Sequence, residues 1–254
     1  SKTKEEHIMS QKVAYVTGGM GGIGTSICQR LAQDGFTVVA GCGPNSPRKD
    51  RWLAEQKELG FDFIASEGNV SDWDSTKAAF DKVKAEVGEI SVLVNNAGIT
   101  KDGVFRKMSV QDWMAVIDTN LNSLFFVTKQ VVDGMLDRGF GRIINISSMN
   151  GQRGQFGQTN YSTAKAGMHG FSMALAQEVA SKGVTVNTVS PGYIGTDMVR
   201  AIREDVLEKI VATIPVKRLG LPEEIASMVS WLASEQAGFT TGANFACNGG
   251  NHMG

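Results

Sequence analysis

Tyr161 and Lys165 stand four residues apart in NYSTAKAG, inside a strongly helical stretch. Side chains at i and i+4 share a helix face, so the ammonium can approach the phenol. A nearby positive charge favours phenolate, so the pair is expected to draw the tyrosine below its ordinary pKa of about 10. Such a group suits giving a proton to a carbonyl oxygen while a hydride reaches the carbon. Ser148 follows an expected strand and can donate a hydrogen bond to the same oxygen. Asn120, in DTNLNSLF, puts a carboxamide within a helical stretch, where it can interrupt the backbone ladder and hold a water.

A second chemistry lies near the start. TGGMGGIG directly follows the first expected strand and opens a helix. Gly18, Gly21, Gly22 and Gly24, with Ile23 and Gly19 among them, satisfy two overlapping glycine registers. Glycines there allow a tight turn and bring backbone N–H groups against a pyrophosphate at a helix N-terminus. About 20 residues further on, a site built for NAD carries an acid for the ribose 2′-hydroxyl. Here that place reads Gly41-Cys42-Gly43, and Arg48, Lys49 and Arg51 follow. A 2′-phosphate disfavours a nearby acid and gains from a guanidinium fork, so NADPH is the expected cofactor. Arg48 is the preferred contact, with Ser46 and the Gly43 amide as weaker ones.

The elements that must position these residues alternate. Strands are expected at 13–17, 37–41, 62–66, 92–95, 142–147, 184–189 and 244–247. Several are nearly unbroken apolar runs, the pattern of strands buried on both faces of a parallel sheet. Amphipathic helical stretches are expected at 24–34, 72–87, 110–138 and 161–182. Ser46 as N-cap and Pro47 at the first helical position would open another helix toward Leu59. The alternation implies a single-domain, Rossmann-like, doubly wound parallel α/β sheet with helices on both faces. Residues 1–10 read as a flexible tail before a domain at 11–254. The insertion at 193–220 follows the sixth strand, where a substrate lid would sit.

Composition narrows the classes. Twenty-five basic and twenty-six acidic side chains give a net charge of −1, which argues against a nucleic-acid partner. No apolar run approaches the roughly 20 residues that span a bilayer, and SKTKEEHIMS lacks the apolar core of a secretory signal. Cys28, Cys42 and Cys247 are few and scattered, as reduced thiols in a cytoplasmic protein would be. His7, His169 and His252 form no zinc spacing, so no metal is expected.

TGGMGGIG, the NNAG ending at Gly98, Asn120, the ISS ending at Ser148, YSTAK and the SPG ending at Gly192 occur in the order found in short-chain dehydrogenase/reductases. The chain resembles that family from about Val13 to its carboxyl end. The resemblance implies a tetrad of Asn120, Ser148, Tyr161 and Lys165. Tyr161 would be the acid/base and Ser148 the orienter of the substrate oxygen. Lys165 would hold the ribose and lower the tyrosine pKa, and Asn120 would hold a relay water. Asn96, Ala97, Gly98, Ile99 and Thr100 would line the cofactor, and Pro191, Gly192, Tyr193 and Ile194 would meet the nicotinamide amide.

Two departures stand out. The adenine contact often made by aspartate is Asn69, between Gly68 and Val70, and Gly21 replaces an arginine found in many NADPH-using relatives. Within the family the sequence is most similar to acetoacetyl-CoA reductases of polyhydroxybutyrate synthesis, which implies an acyl-CoA substrate and a homotetramer. Asp102, Gln155, Phe156, Gln158 and Tyr193 would then meet the acyl group, with Phe156 and Tyr193 giving apolar area and the glutamines free amides. Arg203 in the lid would meet a CoA phosphate. A 3-oxoacyl-acyl-carrier-protein reductase shares the tetrad and is the alternative. A non-enzymatic NADPH sensor would not need Tyr161 or Ser148, and a sugar or steroid dehydrogenase would differ in the lid.

Overall fold

A computed structural model describes residues 12–254; the expected tail at 1–10 lies outside the described residues. Seven strands run β1 (Val13–Val16), β2 (Thr37–Cys42), β3 (Ile64–Glu67), β4 (Ile90–Asn95), β5 (Gly141–Ile146), β6 (Val184–Pro191) and β7 (Asn244–Cys247). They form one parallel sheet in the order β3-β2-β1-β4-β5-β6-β7. Every residue of β4, β5 and β6 is buried, in keeping with their largely apolar sequences, although Arg142, Asn145 and Asn187 are buried among them.

Helices cover both faces. On one side α1 (Gly22–Gln33), α2 (Lys49–Glu58) and the later helix Pro222–Ala233 pack through Ile27, Leu31, Trp52, Ile225, Val229 and Leu232 on Ala14, Val16, Val92, Val94 and Ile144. On the other, α3 (Trp73–Glu86), the helix Ser123–Arg138 and the helix Thr159–Val179 set Phe80, Val83, Val127, Val131 and Val179 against Tyr15, Leu93, Ile143 and Val186. Each fully buried aliphatic side chain contributes about 1.5–3 kcal/mol, so the two layers hold the sheet rigid. The strand order reverses between β1 and β4, which opens the crevice at the carboxyl ends where ligands bind in such sheets.

Four expectations are corrected. The stretch 110–138 is not one helix but α4 (Val110–Ile117), a π-helical turn (Asp118–Asn122) and α5 (Ser123–Arg138). The break occurs where Asn120 turns its amide onto backbone carbonyls. Helix α2 begins at Lys49, not at Pro47, because 46–49 form a turn in which the Lys49 N–H donates to the Ser46 carbonyl. Ser46 is therefore no cap, and Arg48 occupies the N-cap position instead. Strand β3 starts at Ile64, two residues later than expected. After α6 (Met149–Arg153) and α7 (Thr159–Val179), the insertion holds two short helices, α8 (Asp197–Arg200) and α9 (Glu204–Thr213), before α10 (Pro222–Ala233). Its base is pinched at the expected limits: Gly195 N–H donates to Gly220 O at 2.8 Å and Gly220 N–H to Tyr193 O at 2.9 Å. No residue of α8 or α9 is buried, so the lid stands off the body.

Candidate active site

The glycine turn is held from two sides. Thr17, just past β1, accepts on its hydroxyl from the N–H groups of Asn96 (2.9 Å) and Ala97 (3.0 Å), while Asn96 Nδ2 donates to Gly18 O at 3.0 Å. Gly18 has φ +57°, and a Cβ there would come within 2.9 Å of Ala97 Cα. A Cβ on Gly24 would collide with the Gly18 carbonyl. Helix α1 then starts at Gly22 with no side-chain cap and no acid in its first turn. Its leading N–H groups and positive dipole end form a cradle suited to a pyrophosphate.

At the far end of this cradle Arg48 donates through Nη2 to Met20 O at 3.0 Å, so its guanidinium lies against the turn. The absence of an acid after β2 is only part of the picture. Glu67 ends β3, pairs in register with Cys42, and brings a carboxylate to the same edge. It accepts from Asn45 N–H at 2.8 Å and lies 3.4 Å from Lys49 Nζ. Asn69 is committed locally, its side-chain oxygen accepting from the Ser71 hydroxyl at 2.6 Å and N–H at 3.1 Å. The backbone here is engaged as well, Gly68 N–H donating to Cys42 O at 2.9 Å and Asn69 N–H to the Ser75 hydroxyl at 2.9 Å.

The chemistry-bearing side chains converge from three elements. Ser148 caps α6, its hydroxyl accepting from Asn150 N–H at 3.1 Å, and that hydroxyl lies close enough to the Tyr161 phenol to influence its proton. Lys165, one turn along α7, is buried and donates to Ile146 O at 2.9 Å. Its Nζ lies 5.5 Å from the Tyr161 ring centre. Burial pushes its pKa down to about 8. The expected lowering of the tyrosine is reversed. Burial holds the Tyr161 phenol above its ordinary value, the nearby Ser148 hydroxyl works against that rise, and the Asp102 charge adds to it. Lys165 is not among the groups that lower it in this arrangement, where its Nζ is turned to the Ile146 carbonyl. The phenol is kept protonated, the form that donates.

Asn120 explains its π turn. Its Nδ2 donates to Ile99 O and Val116 O, both at 2.9 Å, while Oδ1 is buried with no partner. A Cβ on Gly98 would come within 2.5 Å of that oxygen and 3.5 Å of Lys165 Nζ, so both groups border Gly98. A buried acceptor without a donor is costly, and a water or ligand hydroxyl would satisfy it. The residues fit a dinucleotide: free amides at α1, a close-approach glycine at 98, and an orphan acceptor beside the lysine.

The expected substrate contacts divide. Gln158 is not a free amide; it donates to both Asp102 oxygens at 3.1 and 3.2 Å and accepts from Asn150 Nδ2 at 3.1 Å. Gln155 and Phe156 are exposed, Phe156 strongly so, and Tyr193 is half-buried at the lid base. Pro191 and Ile194 are buried, with Ile194 packed into the core, so that Gly192 and Tyr193 carry the accessible part of that run. Arg203, in the lid, is exposed and held bidentate by Asp205 at 2.5 and 2.9 Å.

Three contributors escape the sequence reading. Asn160 is fully buried, donates to Lys101 O at 3.0 Å, and accepts from Tyr161 N–H at 2.7 Å, thereby fixing the start of α7. Thr196 caps α8 and would meet any Cβ on Gly22, so the lid base touches the glycine turn. Ser147 donates to Lys165 O at 2.8 Å, tying β5 to α7. Only Thr196 had a local signal, as a threonine followed by an acid ahead of a short helix.

Comparison with known proteins gives a consistent family. The profile described as short chain dehydrogenase matches residues 12–207. The chain is 80% identical, over 97% of its length and all of the relative, to an acetoacetyl-CoA reductase of Cupriavidus necator. It is 56% identical over 95% of its length, and 99% of the relative, to an acetoacetyl-CoA reductase of Allochromatium vinosum. To a 3-oxoacyl-acyl-carrier-protein reductase of Escherichia coli it is 43% identical over 95%, covering 98% of that protein.

Proposed function

The chain belongs to the short chain dehydrogenase family, and on that premise we propose that it reduces a 3-oxoacyl thioester with NADPH, converting acetoacetyl-CoA to (R)-3-hydroxybutyryl-CoA. The observation that carries this reading is the 80% identity to an acetoacetyl-CoA reductase along 97% of the chain. The carrier-protein reductase, at 43%, is the more distant likeness. Arg48 at the glycine turn supports NADPH as the cofactor.

When bound, the nicotinamide supplies a hydride to the carbonyl carbon. The chain's own residues do the rest. Ser148 donates a hydrogen bond to the carbonyl oxygen and orients it. Tyr161, kept protonated by burial, gives its phenolic proton to that oxygen as charge develops. Lys165 holds the ribose and stabilises the resulting phenolate, and Asn120 Oδ1 anchors the water through which a proton returns. Phe156 and Tyr193 offer the acyl chain apolar area, while the Asp102–Gln158–Asn150 chain of hydrogen bonds fixes the pocket wall beside Ser148. Arg203 is exposed enough to trade Asp205 for a CoA phosphate, since exposed ion pairs are cheaply broken. The reading also makes the enzyme a cytoplasmic homotetramer with unpaired cysteines.

NADPH oxidation with acetoacetyl-CoA, acetoacetyl-carrier protein and a simple ketone, side by side, tests the substrate. The CoA ester is expected to give the highest kcat/KM; preference for the carrier-protein ester would transfer the assignment to that class. Tyr161→Phe keeps the ring and removes the proton donor, so turnover should fall about 10²–10⁴-fold with NADPH affinity retained. Near-normal turnover would overturn the mechanism.

A further inference from the structure

We propose that the Lys49–Glu67 ion pair is a cofactor-specificity element, in which Lys49 masks a carboxylate that would otherwise repel the 2′-phosphate of NADPH. The inference rests on the cofactor reading above and adds two residues to it.

The geometry begins with the register of the sheet. Cys42, the last residue of β2, pairs with Glu67, the last residue of β3. The edge where β2 should present an acid to a ribose diol thus receives one from the next strand. Alternation along β3 sets the direction. Ser66 faces the other layer, where its hydroxyl accepts from Tyr15 at 2.9 Å, so Glu67 projects to the side of Cys42, α1 and α2. That is the side of the glycine turn and of Arg48.

The carboxylate is held on both oxygens. Asn45, in a left-handed conformation with φ +53°, aims its N–H at Oε1 at 2.8 Å, and Lys49 Nζ lies 3.4 Å from Oε2. The neighbouring Cys42 thiol registers both charges: burial pushes it up, Glu67 pushes it further, and Lys49 draws it back. Both partners are partly shielded, with side-chain exposures of 29% and 39%, so their fields are only partly screened by water. An unmasked carboxylate here would recreate the electrostatics of an NAD site, attracting a 2′-hydroxyl and repelling a 2′-phosphate. Lys49 is the only charged side chain that Glu67 engages among the described residues.

The test is direct binding, without acyl substrate, of NADPH and NADH to the full chain, by calorimetry or quenching of protein fluorescence. Wild type, Lys49→Gln, Glu67→Gln and the double variant are compared. Lys49→Gln should weaken NADPH about ten-fold and leave NADH within about two-fold, a difference of one close charge at intermediate dielectric. Glu67→Gln should leave NADPH unchanged or tighter. Adding it to Lys49→Gln should recover most of the lost NADPH affinity, and the defect should shrink as salt rises.

A double variant as weak as Lys49→Gln would mean that the lysine grips the phosphate itself, and would overturn the masking role. So would an equal loss for both cofactors, no loss at all, or a weaker NADPH complex in Glu67→Gln. If wild type binds NADH and not NADPH, the cofactor reading falls and this inference with it. If NADPH binding stands and only the rescue fails, the inference alone is lost.

Discussion

Lys165 shows how one buried group couples chemistry to stability. Its ammonium has left water for a single carbonyl, that of Ile146 at 2.9 Å, and its pKa drops to about 8. In the unfolded chain the same group keeps its ordinary value of about 10.4. Below pH 8 both states carry the charge, and the folded protein bears the full desolvation cost. Between pH 8 and 10.4 the unfolded chain binds the proton and the folded one does not, so this group makes stability rise with pH. Lys165→Met removes that dependence. Denaturant unfolding should therefore show the variant's stability relative to wild type falling by about 3 kcal/mol between pH 7 and 10.5, since one proton of difference between the two states changes stability by about 1.4 kcal/mol for each step in pH. A difference independent of pH would mean that the ammonium is solvated in the folded state. Tyr161 makes the complementary point: burial decides its protonation before any neighbouring charge does.

At the scale of elements, the glycine turn succeeds because its parts are in contact with one another and not merely flexible. Gly24 has no left-handed φ to justify it; what it lacks room for is a methyl group, since the Gly18 carbonyl and Asn96 Nδ2 occupy that space. Gly43, in the next βα connection, has open space around it and an ordinary backbone. Gly24→Ala should therefore cost about 1–3 kcal/mol through overpacking and lose most affinity for the dinucleotide. Gly43→Ala should stay within about 0.5 kcal/mol of wild type. Thermal unfolding and cofactor titration of the two variants check this, and equal behaviour would sink the steric argument. The π turn at Asp118–Asn122 belongs to the same scale. It gives up helical regularity to set Asn120 on the Ile99 and Val116 carbonyls with its oxygen left over.

At the scale of the whole molecule, the sheet and its two helical layers leave large apolar side chains outside. Val110, Met114, Phe125 and Met173 lie exposed on α4, α5 and α7, and Trp231 and Phe239 lie on and after α10. Two such groups on opposite layers are what a closed tetramer with two kinds of two-fold contact would use. Sedimentation equilibrium should give four times the chain mass, and Phe125→Glu should reduce it to half that without loss of fold. A monomeric wild type would rule out the homotetramer.

Whatever is local or periodic could be read from the chain alone. The parallel sheet follows from apolar runs alternating with amphipathic helices, the phosphate cradle from glycines beside a strand end, and the Tyr161–Lys165 pair from a spacing of one helical turn. Those features need only a few neighbouring residues to be right. Folding settles everything that depends on segments far apart in the chain. Glu67 stands 25 residues beyond Cys42, and only sheet register brings its carboxylate to the end of β2. Gln158 looks like a free amide until Asp102, 56 positions away, takes its donors. Asn160 gains its role from the Lys101 carbonyl in a loop and the Asp112 carbonyl in α4, 59 and 48 residues earlier in the chain. The rise in the Tyr161 pKa lies beyond the sequence for the same physical reason. Charge spacing can be read along a helix, but desolvation is set by everything packed around the group, and that exists only once the chain has folded.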